Sequence, residues 1–238
     1  MKLRGQVAVV TGAGRGIGKA VALAFAREGA AVALASRTGS ELDAVAAEAR
    51  ESGGQALVVP TDVTQESSVA RLVDQTLAEF GRLDILVTAA GAAAFGPVAD
   101  SKLEEWEWMM GVNLKGVYLT CRAVLAPMVR QRRGTIINVV SVAARRPISG
   151  CAVYAASKHG VLGFSQVLAE EMRPHGVRVG AISPGAVNTP LWDSIPNPPD
   201  RALMLAPDDV AEAALLMACH PARASLEDLT ILPAGGIL

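Results

Sequence analysis

The sequence predicts an α/β protein with one domain, built on a doubly wound parallel sheet flanked by helices. Strand-like apolar runs alternate with helical stretches along the chain, which is typical of parallel sheets with crossover helices. The first run, at residues 6–11, leads directly into a glycine-rich turn, and a helical pattern follows. A length of 238 residues suits one such domain with a well-buried core. Together these features predict a single-domain Rossmann fold over residues 1–238.

Composition narrows the classes of protein to consider. Apolar residues make up 51% of the chain and charged residues 19%, which argues against disorder. The net charge of −1 gives no electrostatic footprint for nucleic acid or an anionic membrane, and no apolar run reaches transmembrane length. The N-terminus lacks the shape of a signal peptide. The three cysteines lack metal or redox spacing, so we expect a cytoplasmic protein without a metal site.

The glycine-rich turn at residues 12–18 is a candidate phosphate-binding element. Its glycines allow a tight turn and let backbone N–H groups approach a pyrophosphate at the N-terminus of the following helix. Such turns are common, but a second strand at residues 31–35 closes a βαβ unit around this one. The positions of Gly12, Gly16 and Gly18 depart from the more common Gly-x-Gly-x-x-Gly spacing.

The end of the second strand favours NADP(H) over NAD(H). NAD enzymes carry an acidic residue here for the adenosine ribose 2′-hydroxyl, whereas this chain has Ser36 and Arg37. Arg37 would attract a 2′-phosphate, and Arg15 in the glycine turn could approach it from the other side. The alternative is that both arginines are simply solvated.

The alternation continues through the middle of the chain. Helices are predicted at residues 39–52 and 67–80, and strands at residues 55–59 and 84–88. Asp62, just past the third strand, could accept a hydrogen bond from an adenine amine or cap a nearby helix. A long helix begins near residue 102, with two tryptophans expected to be packing anchors and a bend or break expected at Pro127. Asn113 interrupts its apolar face and could hold a water that relays protons to Lys158.

The stretch from Ser141 to Lys158 carries the candidate chemistry. Residues 135–140 predict a buried strand that ends at Ser141, and Tyr154 and Lys158 lie four positions apart on the next helix. Both therefore share one helix face, at the edge where open α/β sheets bind ligands. We expect the Lys158 cation to lower the pKa of Tyr154 from about 10, so that Tyr154 exchanges a proton with a carbonyl or alcohol oxygen held by Ser141. Taken alone, this common spacing is explained as well by ordinary surface residues.

The last third of the chain is predicted to add a strand and a loop at the same carboxyl edge of the sheet. A strand at residues 177–183 precedes a loop. Residues 186–207 predict a substrate loop, because the proline-rich and partly apolar stretch at 190–207 suits a flap over a pocket. A plain surface loop would have a similar composition. A helix at 208–219 and a strand at 229–232 complete the chain. Arg145 and Arg146 could receive an acidic substrate group, although a solvated pair is the simpler interpretation. The predicted pocket is largely apolar and is formed by Phe95, Val142, Ala144, Val187, Leu191 and Trp192.

Taken together, the motifs resemble those of the short-chain dehydrogenase/reductase family over nearly the whole chain, and most of all its 3-oxoacyl-carrier-protein reductase-like and small-ketone members. The matching motifs are residues 11–18, Asp62-Val63, Asn113, Ser141, Tyr154-x-x-x-Lys158, Pro184-Gly185 and Thr189. The resemblance implies a seven-stranded parallel sheet, a nicotinamide cofactor and a homotetramer or homodimer. It makes Tyr154 the acid/base, with Lys158 tuning it and binding the nicotinamide ribose. Ser141 would orient the substrate, and Asn113 would hold the relay water.

The resemblance also implies the set of cofactor contacts. They are Gly12, Arg15, Gly16, Ile17, Gly18, Ser36, Arg37, Asp62, Val63, Ala90, Gly91, Tyr154, Lys158, Pro184, Gly185, Val187 and Thr189. One motif departs from the family: residues 88–91 read Thr-Ala-Ala-Gly where Asn-Asn-Ala-Gly is usual. Ala89 cannot stabilise the central sheet through a side chain as that asparagine does.

These features predict an NADP(H)-dependent oxidoreductase that interconverts a ketone, for example a 3-oxoacyl compound or another small carbonyl, and a secondary alcohol. A dinucleotide-sensing regulator without catalysis is one alternative, but it would be free to lose Tyr154 or Lys158. An NAD-dependent alcohol dehydrogenase of the same family is another. A nucleotide-sugar dehydratase or epimerase is disfavoured, because such enzymes usually have a longer C-terminal substrate region.

Overall fold

Seven parallel strands form one sheet in the computed structural model, which describes residues 1–237. The strands are β1 (Val7–Thr11), β2 (Ala31–Ser36), β3 (Gln55–Pro60), β4 (Ile85–Thr88), β5 (Gly134–Val139), β6 (Val177–Pro184) and β7 (Asp228–Ile231). Hydrogen bonding orders them β3-β2-β1-β4-β5-β6-β7. This confirms the predicted doubly wound sheet, the implied strand number and the strand positions to within two residues.

Helices cover both faces of the sheet. They are α1 (Gly16–Arg27), α2 (Gly39–Glu51), α3 (Glu66–Phe80), α4 (Leu103–Met110), α5 (Gly116–Gln131), α6 (Ala152–Met172) and α7 (Pro207–Cys219). Helices α1, α2 and α7 pack on one face, and α3, α5 and α6 on the other. Neighbouring residues of β1 show why: Ala8 and Val10 contribute to the first core, and Val9 to the second. Because both faces are buried, the central strands are continuous apolar runs.

The sheet changes winding direction between β1 and β4. The first three strands run outward to β3, and the chain then returns to place β4 on the other side of β1. The carboxyl ends of these two strands are joined, because Thr11 Oγ1 accepts hydrogen bonds from the backbone N–H of Ala89 (3.2 Å) and of Ala90 (3.3 Å). Open α/β sheets bind ligands at this kind of switch point.

The predicted break at Pro127 is wrong. Helix α5 runs through Pro127 to Gln131, because the proline lies near the C-terminal end, where its missing N–H affects little of the remaining helix. The interruption lies earlier, in a π-helical segment at Gly111–Lys115. Single-turn π segments within helices are often found at functional sites, and this one contains Asn113.

Exposed apolar side chains lie on α5 and α6. Val161 and Leu168 of α6 are buried in the protein's own core. Val167 on the same helix is 60% exposed, and Tyr118 on α5 is 44% exposed. Within residues 1–237 none of the helices has the length and apolar character needed to cross a bilayer.

Candidate active site

The glycine turn after β1 passes close to the backbone just after β4. Gly12 has φ of +68°, and a Cβ at this position would lie 2.7 Å from both Ala89 O and Ala90 N. Only glycine therefore allows this approach. Arg15, the N-cap of α1, forms no side-chain capping hydrogen bond, and the first turn of α1 has no acidic residue. The N–H groups at this helix terminus suit an anionic group such as a pyrophosphate.

A cleft of about 470 Å³ runs from this turn along the carboxyl edge of the sheet. Most of the predicted cofactor contacts line it, namely Gly12, Arg15, Gly16, Ile17, Ser36, Arg37, Asp62, Val63, Ala90, Gly91, Tyr154, Lys158 and Thr189. The residues present thus fit a dinucleotide, with small residues at the turn and cations at one end. Gly18 does not line the cleft; it is buried under the turn, where a Cβ would collide with Gly12 O.

Two arginines flank the end of the cleft near β2. Arg15 and Arg37 are exposed, and within residues 1–237 neither guanidinium is paired with a carboxylate. Ser36, at the end of β2, lines the same end of the cleft. Unpaired guanidinium groups favour a phosphate, which they can bind through two parallel hydrogen bonds.

The predicted catalytic side chains meet at the other end of the cleft. Helix α6 begins at Ala152, so Tyr154 and Lys158 lie within its first two turns, facing the end of β5. Lys158 Nζ donates a hydrogen bond to Val139 O (3.0 Å) and lies 5.7 Å from the centroid of the Tyr154 ring. Ser141 caps a short 3₁₀ turn, and its Oγ accepts from the N–H of Ala143 (3.1 Å).

A second cavity, of about 340 Å³, opens beside these side chains. Its lining includes Phe95, Ser141, Val142, Ile148, Cys151, Tyr154, Lys158, Leu191, Trp192 and Ile195. The Phe95 ring packs edge-on to Tyr154 (centroids 5.6 Å apart) and against Trp192 (5.8 Å). The indole of Trp192 is fixed by its Nε1–H, which donates to Val187 O (2.9 Å). Tyr154 and Lys158 line both the cleft and this cavity, and so form the boundary between them.

Known proteins are similar to this chain in sequence and in fold. The model of a family described as short chain dehydrogenase matches residues 6–200. That match covers most of the chain. The chain belongs to the short-chain dehydrogenase family. It is therefore an oxidoreductase of that family, and the resemblance seen in the motifs is confirmed.

Three relatives place the chain within the family. A 3-oxoacyl-[acyl-carrier-protein] reductase of Synechocystis sp. (strain ATCC 27184 / PCC 6803 / Kazusa) is 38% identical over 242 residues, covering 99% of this chain and 98% of the relative. The crystal structure of a metagenomic short-chain oxidoreductase in complex with NADP is 37% identical, with a TM-score of 0.87 and coverage of 98% and 99%. A 3-ketoacyl-(acyl-carrier-protein) reductase from Brucella melitensis, complexed with NADH, is 33% identical, with a TM-score of 0.90 and coverage of 98% of each chain.

The structure does not show the expected lowering of the Tyr154 pKa by Lys158 in this short-chain dehydrogenase. Burial raises the pKa of Tyr154 to about 12, and a hydrogen bond with Ser141 opposes this only in part. Burial also lowers the pKa of Lys158 to about 8. The lysine ammonium bonds to a backbone carbonyl rather than to the phenol oxygen, so desolvation outweighs the attraction that the sequence predicts.

Asn113 holds the loop after β4 against α6. Its side chain is fully buried; Oδ1 accepts from the N–H of Ala92 (2.8 Å), and Nδ2 donates to Ala92 O (2.8 Å) and to Ser157 Oγ (3.0 Å). Ser157 in turn donates to Tyr154 O (2.7 Å). The carboxamide has one acceptor position left. The relay water therefore stays a prediction, and the contacts present are ones that position Tyr154.

A buried polar network lies next to the Thr-Ala-Ala-Gly segment. Asn138 on β5 accepts a hydrogen bond from Thr88 Oγ1 (2.8 Å) and donates to Ser165 Oγ on α6 (2.8 Å). The backbone of Ala89 is held by Thr11, as described above. These hydrogen bonds join β4, β5 and α6 to one another.

Two predicted polar contacts differ in the structure. Asp62 does not cap α3: its Oδ1 accepts from the N–H (2.9 Å) and hydroxyl (2.8 Å) of Thr64, and the backbone hydrogen bond from Thr64 lowers the pKa of Asp62. Arg145 does not line the second cavity. Its guanidinium donates to Ser183 Oγ (3.0 Å) and to Asp228, because the loop after Ser141 turns it towards β7.

Several other residues lie in places that the sequence did not predict. Pro184, Gly185 and Val187 line the substrate cavity rather than the cofactor cleft, and Ala144 is buried and lines neither. Trp106 and Trp108 are not packing anchors, since they are 41% and 45% exposed. Trp108 lines the cofactor cleft, as do Glu41, Thr61, Thr64 and Val112, which the sequence did not single out. No group of metal-ligating side chains occurs in residues 1–237.

Proposed function

We propose that the protein is an NADP(H)-dependent oxidoreductase that interconverts a compact, uncharged ketone and its secondary alcohol. The observation that carries this proposal is the shared boundary of the two cavities: Tyr154 and Lys158 line both the dinucleotide cleft and the apolar cavity. A proton donor at that boundary can act on a carbonyl oxygen in one cavity while the cofactor occupies the other. The NADP-bound metagenomic relative supports the choice of cofactor.

In the reductive direction the side chains have distinct tasks. NADPH, when bound, supplies the hydride equivalent. Ser141 orients the carbonyl oxygen, and Tyr154, whose raised pKa keeps it protonated at neutral pH, donates its proton to that oxygen. The cation on Lys158 stabilises the negative charge left on the tyrosine oxygen, and it is present mainly below pH 8. The alcohol oxygen keeps the tyrosine proton, which solvent must replace before the next turnover.

The lining of the cavity argues for an uncharged substrate. Apart from Lys158, whose ammonium is held by Val139 O, none of the described residues lining it is charged. Arg145, one of the two arginines that the sequence offered for an acidic substrate group, is turned away to Asp228. A buried carboxylate without a partner is strongly disfavoured. A volume of about 340 Å³ suits a compact molecule rather than a long acyl chain.

A panel of ketones with NADPH tests this proposal. We expect acetophenone and similar neutral ketones to be reduced, with kcat/KM at least about tenfold above that of 4-carboxyacetophenone. An acetoacetyl thioester of pantetheine forms the third arm, since one relative is named for acyl-carrier-protein substrates. Preference for the thioester or the carboxylate would contradict the substrate class alone. NADPH binding without turnover of any ketone would contradict the catalytic proposal and favour the dinucleotide sensor.

Arg37→Ala is expected to weaken NADPH binding about 10- to 100-fold and to leave NADH binding nearly unchanged. A hydrogen bond to a charged group contributes about 1.5–3 kcal/mol, and only NADPH carries a phosphate at the ribose 2′ position. The check is kcat/KM for both cofactors in the wild type, Arg37→Ala and Arg130→Ala, which alters an exposed arginine at the end of α5. A wild type that prefers NADH, or an unchanged NADPH/NADH ratio in Arg37→Ala, would contradict the assignment and favour an NAD-dependent dehydrogenase.

Adding Ser36→Asp to Arg37→Ala should move the preference further. The carboxylate repels a 2′-phosphate and can accept hydrogen bonds from the ribose hydroxyls of NADH. We expect the double variant to have the lowest NADPH/NADH ratio of the series.

Assembly and location extend the same proposal. The exposed Tyr118 and Val167 lie on neighbouring helices, α5 and α6, and Leu216 on α7 is 55% exposed. Apolar faces of this kind suit contacts between copies of the chain, so a homotetramer or homodimer is proposed. We also propose a cytoplasmic location, where a reducing environment keeps cysteines free; Cys121, Cys151 and Cys219 are all free thiols.

A further inference from the structure

An acidic side chain lies at the cationic end of the cofactor cleft. Glu41, in the first turn of α2, extends its Oε2 to 2.7 Å from the position that a Cβ on Gly14 would take. The same position is 3.1 Å from Ser36 Oγ, so the carboxylate and the serine hydroxyl face one small space above the glycine turn. A side chain at position 14 would force the Glu41 carboxylate to move.

The charges around this space are not neutralised by one another. Within residues 1–237 no ion pair of 4.0 Å or less involves Glu41, Arg15 or Arg37, although all three line the cleft. An acid in the first turn of a helix is favoured by the helix dipole, which explains its presence on α2. The dipole does not explain why the side chain lies over Gly14 rather than pointing into solvent, as Asp43 on the same helix does.

We propose that Glu41 is a cofactor-specificity residue that favours the ribose 2′-hydroxyl of NAD(H) and opposes the 2′-phosphate of NADP(H). The inference rests on the proposed nicotinamide-dependent function. Arg15 and Arg37 have the opposite effect, because they attract the 2′-phosphate. The preference for NADP(H) is therefore only partial, since Glu41 opposes the two arginines. The enzyme is expected to use NADH measurably at cellular concentrations.

The chemistry of the two ligands gives the direction of the effect. A 2′-hydroxyl donates a hydrogen bond that a carboxylate accepts, and such charge-assisted bonds are among the stronger ones in proteins. A 2′-phosphate is an anion that offers mainly acceptor oxygens, so a carboxylate beside it is repelled. Because the cleft is partly shielded from solvent, this repulsion is screened less than between surface charges.

The test compares Glu41→Gln with the wild type by titrating each protein with NADPH and with NADH, following nucleotide fluorescence at fixed ionic strength. We expect NADPH to bind about three- to tenfold more tightly, and NADH about three- to tenfold more weakly, because the amide keeps the shape but loses the charge. The NADPH/NADH ratio should rise by about tenfold or more, in kcat/KM as well as in Kd. Asp43→Asn is the matched control: it removes one charge from an exposed position on the same helix, outside the cleft, and we expect the ratio to stay within about twofold.

The outcomes separate this inference from the proposed function. A wild type that binds neither nucleotide would overturn both. A wild type that prefers NADPH, with an unchanged or lower ratio in Glu41→Gln, would overturn the role of Glu41 alone; a lower ratio would mean that Glu41 holds an arginine in place. An equal rise of the NADPH/NADH ratio in Asp43→Asn would mean that the effect comes from the net charge of the protein, and it would also overturn the inference. Glu41→Ala, which removes the side chain without adding an amide, should shift the ratio in the same direction as Glu41→Gln.

Discussion

Tyr154→Phe is expected to lower kcat for ketone reduction by about 10²–10⁴-fold, the usual contribution of a general acid. The hydroxyl of Tyr154 lies where the cofactor cleft meets the apolar cavity, and its raised pKa keeps it protonated throughout the neutral range. Phenylalanine keeps the ring and its edge-on contact with Phe95, so the cavity should keep its shape. NADPH should therefore bind nearly as well as to the wild type.

The chain provides a matched control, because it contains one other tyrosine. Tyr118 is 44% exposed on α5, and Tyr118→Phe should leave kcat within about twofold of the wild type. The measurement is the steady-state rate of NADPH consumption with an accepted ketone, together with the Kd for NADPH. A Tyr154→Phe variant with the wild-type kcat on any accepted ketone would remove Tyr154 from the mechanism.

Lys158→Met should lower activity and raise stability at the same time. Without the cation, the charge that develops on the tyrosine oxygen has no partner, and kcat/KM is expected to fall by about 10²–10³-fold. The Lys158 cation also destabilises the folded wild type, because it is buried there but hydrated in the unfolded chain. Methionine has a similar length and no charge, so at pH 7 the variant avoids the desolvation that lowers the pKa of Lys158 to about 8.

The size of the stability gain follows from the difference in pKa. A change from the ordinary value of 10.5 to about 8 corresponds to about 3 kcal/mol. Losing the hydrogen bond to Val139 O removes about 1 kcal/mol of that, leaving a gain of about 2 kcal/mol, or about 4–8 °C in Tm. The gain should depend on pH. Between pH 8 and 10.5 the unfolded wild type binds more protons than the folded protein, so wild-type stability rises with pH and the advantage of Lys158→Met disappears.

Thermal unfolding of the wild type, Lys158→Met and Lys115→Met between pH 7 and 10.5 provides the comparison. Lys115 is exposed, and its replacement should not produce this pH-dependent difference. A Lys158→Met variant less stable than the wild type at pH 7, or a difference that does not change with pH, would contradict the account of a desolvated, charged lysine.

The sequence predicts those features that depend on residues close together in the chain. Alternating apolar runs predict the strands because parallel strands buried on both faces must be apolar throughout, and glycines predict the turn after β1 because backbone must pass close to Ala89. The four-residue spacing of Tyr154 and Lys158 likewise places them on one face of α6. Each of these conclusions depends on neighbours within a few positions.

What the sequence does not show depends on residues far apart in the chain. Arg145 is drawn to Asp228, 83 positions away, and Glu41 reaches Gly14 across 27 positions through a helix orientation that no local pattern encodes. The pKa of Tyr154 depends on burial, which packing decides after the fold has formed. The break in the long helix follows from a π segment rather than from Pro127, the residue that local rules single out.

The most direct measurement of the central claim is the fate of deuterium carried by NADPH at the nicotinamide C4 position. The protein would be incubated with NADPH that carries deuterium in place of both C4 hydrogens, so that either face delivers the label, together with a neutral ketone such as acetophenone. The products would be analysed by mass spectrometry. The account predicts an alcohol with one deuterium on the carbinol carbon for the wild type and for Tyr118→Phe, and about 10²–10⁴-fold less of it for Tyr154→Phe. An enzyme that binds NADPH in its cleft yet forms no deuterated alcohol from any uncharged ketone would contradict it.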